Sequence, residues 1–456
     1  MQRWEATQVA GFSVLAVAIG LSLFYFTRYR AEQDFLMVAR TRGYLRILTL
    51  NSPTPFYEDR DGKLAGFEYD LGKQFGESIG VTAQFYQYTS VEALLTALAE
   101  GKGDIAAAGL VRTKDRNKLF RFGPAYQEVQ PEIVCHRKES LPRDISQIPD
   151  TRLLISEDTS YQEQLGKLKL ENPEIQWDTT PLSTEEILAK VSNKEVPCTV
   201  ADSNILAINR RYYPELESAM PLGRPNHLVW VLPKERWGLQ SLVNSFFSRM
   251  RRRGTLSALI DRHYGYLSNF DYYDAKVFIQ RLNSRLPKYI KYFEEEADKY
   301  DLSWRLLAAM AYQESQWDPS ARSPTGVRGL MMLTLPTAGA LGVSNRLDPE
   351  QSIRGGARYF NRLRKRLPPQ VGKWDRTWLA LAAYNVGYGH LRDAQKLAEK
   401  MGRDPYRWDQ IKDILPLLSN RRYYASLPHG YARGNEPVQY VQRIRNYELL
   451  IRVYHR

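Results

Sequence analysis

The sequence predicts a multidomain chain in which an α/β domain is followed by an all-α domain. Its 456 residues leave room for two or three domains. From Gly43 to about Tyr266 short apolar strands alternate with helical stretches, whereas beyond Ser268–Tyr273 only helical periodicity continues. With 43% hydrophobic and 12% aromatic residues, the composition excludes a disordered or fibrous protein.

The N-terminal segment, residues 1–30, carries the targeting information. Val9 to Phe26 is an apolar run with arginines on both sides, and its length is at the lower limit for crossing a bilayer. No small-residue cleavage site follows the run directly, and the flanking charges are nearly balanced. The segment is therefore either a signal peptide or a retained membrane anchor, and both interpretations stay open.

The α/β domain is predicted over residues 40–268. The predicted elements are strand Leu45–Thr49, helix Tyr69–Ile79 closed by Gly80, strand Val81–Tyr86, helix Val91–Ala99 capped by Thr89 or Ser90, and strand Asp104–Ala108. Strands that alternate with helices in this way are typical of a sheet with helical crossovers.

This region resembles the solute-binding proteins that capture amino acids and similar small polar ligands, which are two-lobed α/β domains of the periplasm. The segments that match are Gly66–Phe67, Tyr69–Leu71, Gly103–Ala106, Thr113–Arg116, Phe122–Tyr126, Asp158–Ser160 and Ala201–Ser203. The resemblance implies that Arg116 binds a ligand carboxylate and that Asp202 binds its ammonium group. We therefore expect a muropeptide or amino-acid-like ligand that regulates the protein, while the domain itself is not catalytic.

One alternative for these two charges stays open. Arg116 and Asp202 could be surface charges between the lobes of a domain that no longer binds a ligand. The apolar residues 108–110 stand where hydroxyl side chains often line the cleft of the family.

The cysteine count and the net charge limit which kinds of metal site, disulfide and binding partner are expected. Cys135 and Cys198 are too few for a disulfide framework or a cysteine-based zinc site, and buried free thiols are the expectation, although export would allow them to pair. The formal net charge of +13 favours an anionic partner. No nucleic-acid-binding motif accompanies this charge, so we expect a membrane surface or an anionic polymer and no nucleic acid.

The all-α domain is predicted over residues 270–456. Its helices are Phe278–Leu286, Tyr289–Tyr300, Trp304–Gln316, Ala338–Leu341, Ile353–Arg366, Thr377–Val386, His390–Lys400, Trp408–Leu415 and Val438–Arg452. In the third helix Leu307, Met310, Ala311 and Glu314 share one stripe, which places a carboxylate on the apolar face. An acid there is either paired or has a raised pKa, and a raised pKa suits a general acid near neutral pH, as in lysozyme.

Here the chain resembles the goose-lysozyme-like catalytic domain of lytic transglycosylases. The matching segments are Ala311–Ser315, Asp318–Ser323 with Gly326, Gly329–Leu333, Ala383–Gly389 and Tyr440–Ile444, in the family's order and spacing. Together with the solute-binding module, they resemble the membrane-bound members of that family. The resemblance implies that Glu314 is the catalytic acid and base, and that the substrate-binding residues are Ser315, Ser323, Gly329, Met331, Met332, Tyr384, Asn385 and Tyr440.

The family's activity is cleavage of the β-1,4 bond between MurNAc and GlcNAc in peptidoglycan strands, which leaves a 1,6-anhydro ring and needs no cofactor or metal. Met332 departs from the glutamine common in the family, which predicts weaker polar contacts at one sugar. Asp318 stands in an Asp-Pro turn, so we expect a structural role for its carboxylate. A peripheral outer-membrane location is expected from the family, and an inner-membrane anchor stays open.

Two other functions stay open at this point. An ordinary hydrolysing muramidase would use the same acid but add water to the product. A solute receptor with a catalytically silent lysozyme-like tail would not need Glu314.

Overall fold

The computed structural model describes residues 26–455 except 53, 59–62, 140, 149–151, 211, 266–271 and 324–325. The apolar run of the N-terminal segment, except for Phe26, lies outside the described residues. So does most of the predicted linker around Ser268–Tyr273. The chain divides into two compact units between Ile260 and Asp261.

The first unit contains strands and helices that alternate along the chain, as predicted for an α/β domain. Its strands are β1 Tyr44–Leu50, β2 Tyr57–Glu58, β3 Leu64–Ala65, β4 Thr82–Tyr88, β5 Ile105–Val111, β6 Phe120–Phe122, β7 Gln127–Val129, β8 Pro131–His136, β9 Leu153–Ser156, β10 Trp177–Thr180, β11 Cys198–Asp202, β12 Leu216–Pro221 and β13 Asn226–Pro233. Its helices are α1 (residues 26–42), α2 Phe67–Ile79, α3 Val91–Ala99, α4 Lys114–Leu119, α5 Ser160–Glu171, α6 Thr184–Ser192, α7 Ser203–Asn209 and α8 Trp237–Arg252, and α9 Thr255–Tyr264 crosses the division between the units.

The first unit has two lobes, each built on one sheet. The first sheet has the order β4-β1-β5-β13-β6 with β7 also on β13, and the second has the order β10-β9-β11-β8-β12. In the first lobe β1 runs parallel to β4 and β5, as the alternation of strands and helices predicts. The chain passes to the second lobe between β7 and β8 and returns between β12 and β13, so two short segments connect the lobes.

The two cysteines form a disulfide inside the second sheet. Cys135 in β8 and Cys198 in β11 are direct partners of an antiparallel pair, and both are buried. The expectation of free thiols is therefore wrong. The pairing depends on strand register across a separation of 63 residues, which the sequence alone does not reveal.

The second unit is helical in its described part. Its helices are α10 Tyr272–Ser284, α11 Ile290–Tyr300, α12 Trp304–Ser315, α13 Leu335–Ala340, α14 Pro349–Arg366, α15 Lys373–Val386, α16 Tyr388–Lys400, α17 Trp408–Ile414, α18 Arg421–Tyr424 and α19 Asn435–Tyr454. The predicted helices are found, but some begin earlier than apolar spacing indicated. Helix α14 begins at Pro349 because the Asp348 side chain caps the Gln351 N–H and proline suits the first helical position.

Helix α12 lies at the centre of the second unit and packs against α11 and α19. Leu307, Met310 and Ala311 of the predicted stripe are fully buried, but so are the residues between them. A helix that is apolar on all sides belongs in the interior of a domain. Glu314 is therefore carried by a helix whose central turns are buried and whose two ends are partly exposed.

Candidate active site

Glu314 lies in the last turn of α12, and two left-handed residues end the helix there. Gln316 and Trp317 have φ values of 55° and 57°. The Trp317 ring is buried and its Nε1 donates a hydrogen bond to the carbonyl of Ala308 at 2.8 Å. This bond ties the turn back onto the helix, and thereby fixes the place at which Glu314 leaves the core.

The carboxyl group of Glu314 has a single strong partner. The Tyr440 hydroxyl donates to its Oε1 at 2.6 Å. Burial raises the pKa of Glu314 to about 7, while the hydrogen bond from Tyr440 acts in the opposite direction by stabilising the carboxylate. No cation or second carboxylate in the described surroundings contributes to this pKa.

A pair of tyrosines forms the wall behind Glu314. Tyr440, from α19, is 5% exposed, and its ring stacks on Tyr384 of α15 with centroids 6.5 Å apart. The Tyr384 hydroxyl donates to the carbonyl of Met331 at 2.9 Å. Burial raises the pKa of both phenols well above their ordinary value, so both remain protonated and can donate hydrogen bonds.

The loop after α12 is held by its backbone. The Gly329 N–H donates to the Ala321 carbonyl at 3.0 Å, and φ at Gly329 is 81°. A Cβ there would lie 1.7 Å from the Arg346 carbonyl oxygen, so only glycine fits. Gly329 therefore shapes the loop, and its contact with substrate stays a prediction.

The two methionines that follow have different environments. Met331 is fully buried with its side chain against Gly356, and its N–H donates to Ser352 Oγ at 3.1 Å. Met332 is partly exposed and has a left-handed backbone, with φ 45°. The structure thus offers the side chain of Met332, but not that of Met331, to a ligand.

Ser315 is bonded to the backbone around the end of α12. Its side chain is 8% exposed, and its hydroxyl lies 3.0 Å from the Ala311 carbonyl oxygen and 2.9 Å from that of Leu330. The hydroxyl thereby joins α12 to the loop that follows it, and the direct sugar contact that the resemblance implies stays a prediction.

The remaining predicted sugar contacts lie nearer to the surface. Asn385 is exposed at the end of α15, and Ser323 is half-buried in a turn whose backbone bonds to Gly326 and Val327. Their roles stay predictions.

Asp318 occupies the turn that the sequence indicates. Its Oδ1 accepts hydrogen bonds from the N–H and hydroxyl of Ser320 at 2.9 and 2.7 Å. These bonds hold the pKa of Asp318 below its ordinary value, so its carboxyl is ionised near neutral pH and unsuited to donate a proton.

A second candidate site lies between the lobes of the first unit. The cleft has a volume of about 580 Å³, and Arg116 and Asp202 both line it. Arg116 donates to the carbonyls of Val111 at 2.9 Å and Asp158 at 2.8 Å, which belong to different lobes. Desolvation lowers the pKa of Arg116.

Asp202 is the buried acid of this cleft. It is 5% exposed, and burial raises its pKa to about 7 while the Tyr161 hydroxyl opposes that shift. Its Oδ1 has no hydrogen-bond partner among the described residues. A buried carboxylate oxygen without a partner is costly unless a ligand supplies the missing donor.

Within the described residues, no group of three or more His, Cys, Asp or Glu side chains could hold a metal ion.

Comparison with known proteins follows the same division of the chain. The model for bacterial extracellular solute-binding proteins, family 3, matches residues 45–266, and the model for the Transglycosylase SLT domain matches residues 291–406. A membrane-bound lytic murein transglycosylase F 1 from Alkalilimnicola ehrlichii is 43% identical over 98% of this chain and 92% of its own. A membrane-bound lytic murein transglycosylase F from Maricaulis maris is 43% identical over 92% of this chain and 92% of its own. Another, from Shewanella loihica, is 45% identical over 84% of this chain and 80% of its own.

The chain belongs to the membrane-bound lytic murein transglycosylase F family. This membership confirms both resemblances seen in the sequence and the fold class, an α/β solute-binding-like domain followed by a helical lysozyme-like domain.

The sequence analysis did not single out two acidic residues that the structure places at or near the cleft of this transglycosylase F. Glu185 lines the cleft and accepts a hydrogen bond from Ser52 of the other lobe. Glu68, 1% exposed, accepts from Trp230 Nε1 at 2.8 Å and from the Gly109 N–H at 3.1 Å. Glu68 lies within the stretch 66–71 that resembles the solute-binding proteins but was assigned no role, and Glu185 stands in no distinctive motif.

Proposed function

We propose that the second unit cleaves the β-1,4 bond between MurNAc and GlcNAc in peptidoglycan without water and leaves a 1,6-anhydro end. The observation that carries the proposal is one buried carboxyl, that of Glu314, with a pKa of about 7 and a tyrosine as its hydrogen-bond partner. Such a group is partly protonated at neutral pH, so it can both give and take a proton there.

The first half-step uses Glu314 as an acid. Its proton passes to the glycosidic oxygen as the bond from that oxygen to C1 of MurNAc breaks. The N-acetyl carbonyl of the same sugar stabilises the positive charge that develops at C1, so no second enzyme carboxylate is needed as a nucleophile.

The second half-step uses the same group as a base. The Glu314 carboxylate removes the proton of the C6 hydroxyl, whose oxygen then bonds to C1 and closes the ring. The reaction ends with Glu314 protonated again, and no water is consumed.

Tyr440 and Tyr384 support both half-steps. The hydrogen bond from Tyr440 orients the carboxyl of Glu314 and stabilises its charged form between the half-steps. Tyr384 holds the loop of Met331 through that residue's carbonyl. In this proposal Ser323, Met332 and Asn385 contact the sugars, whereas Ser315, Gly329 and Met331 shape the loop.

Digestion of purified sacculi in oxygen-18-labelled water tests the reaction. Anhydro ends that are one water lighter than hydrolysis products and carry no label support the proposal. Labelled reducing ends would show a hydrolysing muramidase instead. No cleavage of sacculi by the full chain would favour a receptor with a silent tail.

For the first unit we propose a wall-derived small ligand, a muropeptide or an amino-acid-like molecule, bound in the cleft between the lobes. Arg116 still has guanidinium N–H donors beyond the two that bind backbone carbonyls, which suits a ligand carboxylate. The unpartnered Oδ1 of Asp202 suits an ammonium group. Calorimetric titration with soluble muropeptides tests this proposal, and the absence of heat at any concentration would contradict it.

We further propose that the chain is exported and works in the cell envelope at a membrane. The relatives are named membrane-bound, and the disulfide between Cys135 and Cys198 suits an oxidising compartment. Among the described helices, none has the length and apolar character needed to cross a bilayer. Cell fractionation with a C-terminal tag would distinguish the outer-membrane periphery from an inner-membrane anchor.

A further inference from the structure

Four exposed apolar side chains lie near the contact between α1 and the start of α8. Phe26, Tyr29, Leu119 and Trp237 are 64%, 61%, 65% and 62% exposed. We call these four residues the apolar band. Single exposed apolar residues are ordinary, but aromatic rings beside basic residues are typical of the membrane–water interface.

The loops around Leu119 and Trp237 are joined by basic side chains. The guanidinium carbon of Arg121 lies 3.1 Å from the centre of the Trp237 ring. Lys234 Nζ donates to the carbonyl of Lys118 at 2.7 Å. The Arg121 guanidinium thus lies on an apolar ring, as arginine does where it reaches from an apolar layer into water, and Lys234 joins the two loops.

Helix α1 is fixed to the same place. Arg28 Nε donates to Ser241 Oγ at 2.6 Å. A Cβ on Gly238 would lie 2.0 Å from the Ala31 carbonyl oxygen, so the two helices touch backbone to backbone. The position of Phe26 and Tyr29 relative to Trp237 is therefore set by packing within the unit.

The charge around the apolar band is positive. Residues 26–32, 118–121 and 234–237 contain six basic and two acidic side chains. Two of the six basic groups are paired, since Glu32 lies 3.6 Å from Arg28 and Asp115 lies 2.8 Å from Lys118. The surplus that remains is complementary to anionic headgroups, which attract nearby lysines and arginines.

The course of the chain points to the same partner. The apolar run Val9–Phe26 of the sequence leads directly into α1, so its last residue belongs to the apolar band. We propose that the apolar band sits in the headgroup region of an anionic phospholipid bilayer, with the surrounding lysines and arginines on the phosphates. The first unit is then held against the membrane by a defined face rather than tethered freely.

Quenching of tryptophan fluorescence by brominated lipids tests this face in the full chain. The protein is reconstituted into vesicles of phosphatidylcholine with brominated phosphatidylglycerol, and wild type is compared with Trp237→Phe. We expect the variant to lose roughly half or more of the lipid-dependent quenching, although eight of the nine tryptophans remain.

Trp374→Phe is the matched control. Trp374 is 38% exposed, and the guanidinium carbon of Arg262 lies 4.7 Å from its ring centre, so it too is an exposed ring beside arginine. We expect this variant to keep the wild-type quenching. Equal losses in both variants, or none in either, would overturn the proposal.

The lipid charge provides a second arm. For this arm the bromine is carried by phosphatidylcholine, in vesicles with or without phosphatidylglycerol. Replacing Lys118, Lys234 and Arg236 by glutamate should reduce quenching in the vesicles with phosphatidylglycerol to the level in pure brominated phosphatidylcholine. Equal quenching of the wild type in both kinds of vesicle would refute the anionic partner.

Light scattering tests whether a second copy of the chain covers the apolar band instead. A dimer that Trp237→Phe dissociates would refute the membrane contact.

Discussion

Each unit contains an acid whose pKa burial raises to about 7, Glu314 in the second unit and Asp202 in the first. The two acids stand at opposite ends of their helices: Glu314 is in the last turn of α12, whereas Asp202 directly precedes α7. A helix carries partial positive charge at its start and partial negative charge at its end. The helix end therefore favours a neutral Glu314, and the helix start favours a charged Asp202.

The hydrogen-bond partners of the two carboxyl groups also differ. Glu314 already accepts a hydrogen bond from Tyr440, so it can cycle between two forms without a ligand. Asp202 has an oxygen with no partner in the described part of the chain. This difference in partners suits one acid to proton transfer and the other to binding a cation.

The largest difference between the acids should appear in cleavage of sacculi. We expect Glu314→Gln to lower the rate of anhydro-muropeptide release by about a thousandfold or more, because the amide can neither give nor take the proton. Asp202→Asn should leave the basal rate near that of wild type. Mass spectrometry of the soluble products measures both.

Asp318→Asn is the control for Glu314→Gln, because it removes a carboxyl four residues away. A loss in Asp318→Asn as large as that in Glu314→Gln would move the catalytic role to the turn.

In binding of muropeptides, the substitution of Asp202 should have the larger effect and that of Glu314 the smaller. Asp202→Asn should weaken binding by roughly a hundredfold, since it removes one side of a buried charge pair. Glu314→Gln should leave the affinity of the cleft unchanged. Asp178→Asn, at an exposed position of the same lobe, is the control in the titration.

Stability should depend on pH through Glu314. Its pKa is raised in the folded protein, so the folded state holds an extra proton between the unfolded pKa and about 7 and loses stability as pH rises through that window. Glu314→Gln lacks this penalty. We expect its free energy of unfolding to gain about 3 kcal/mol on wild type between pH 4 and pH 8 in urea titrations.

The control for this experiment is again Asp318→Asn. The pKa of Asp318 is lowered in the folded protein, so its carboxyl is ionised in both the folded and the unfolded state above about pH 5, and the difference in stability between Asp318→Asn and wild type should stay nearly constant from there to pH 8. A difference between Glu314→Gln and wild type that is constant with pH would contradict the raised pKa.

The smallest expected effect concerns the partner of Glu314. Tyr440→Phe removes a hydrogen bond that favours the carboxylate, so the pKa of Glu314 should rise and the fall of activity at high pH should move to higher pH. We expect the maximal rate to fall by about tenfold. Tyr359→Phe, whose ring packs against Tyr384, should leave the profile in place.

The sequence predicted the helix of Glu314 and its apolar stripe, because periodicity and burial are local properties of a chain. It did not predict that Tyr440 would meet Glu314 across 126 residues except through family resemblance. The disulfide was missed for a related reason, since strand register decides it. The motif also did not show that the Ser315 hydroxyl lies against the backbone carbonyls of Ala311 and Leu330.

The most direct test of the central claim is the titration of Glu314 itself. Carbon-13 NMR of δ-labelled glutamate in the full chain, with Glu314→Gln to assign the signal, should show a midpoint near pH 7. A midpoint near the ordinary value of about 4.3 would contradict the account, because the carboxyl would then be ionised at neutral pH and unable to protonate the glycosidic oxygen.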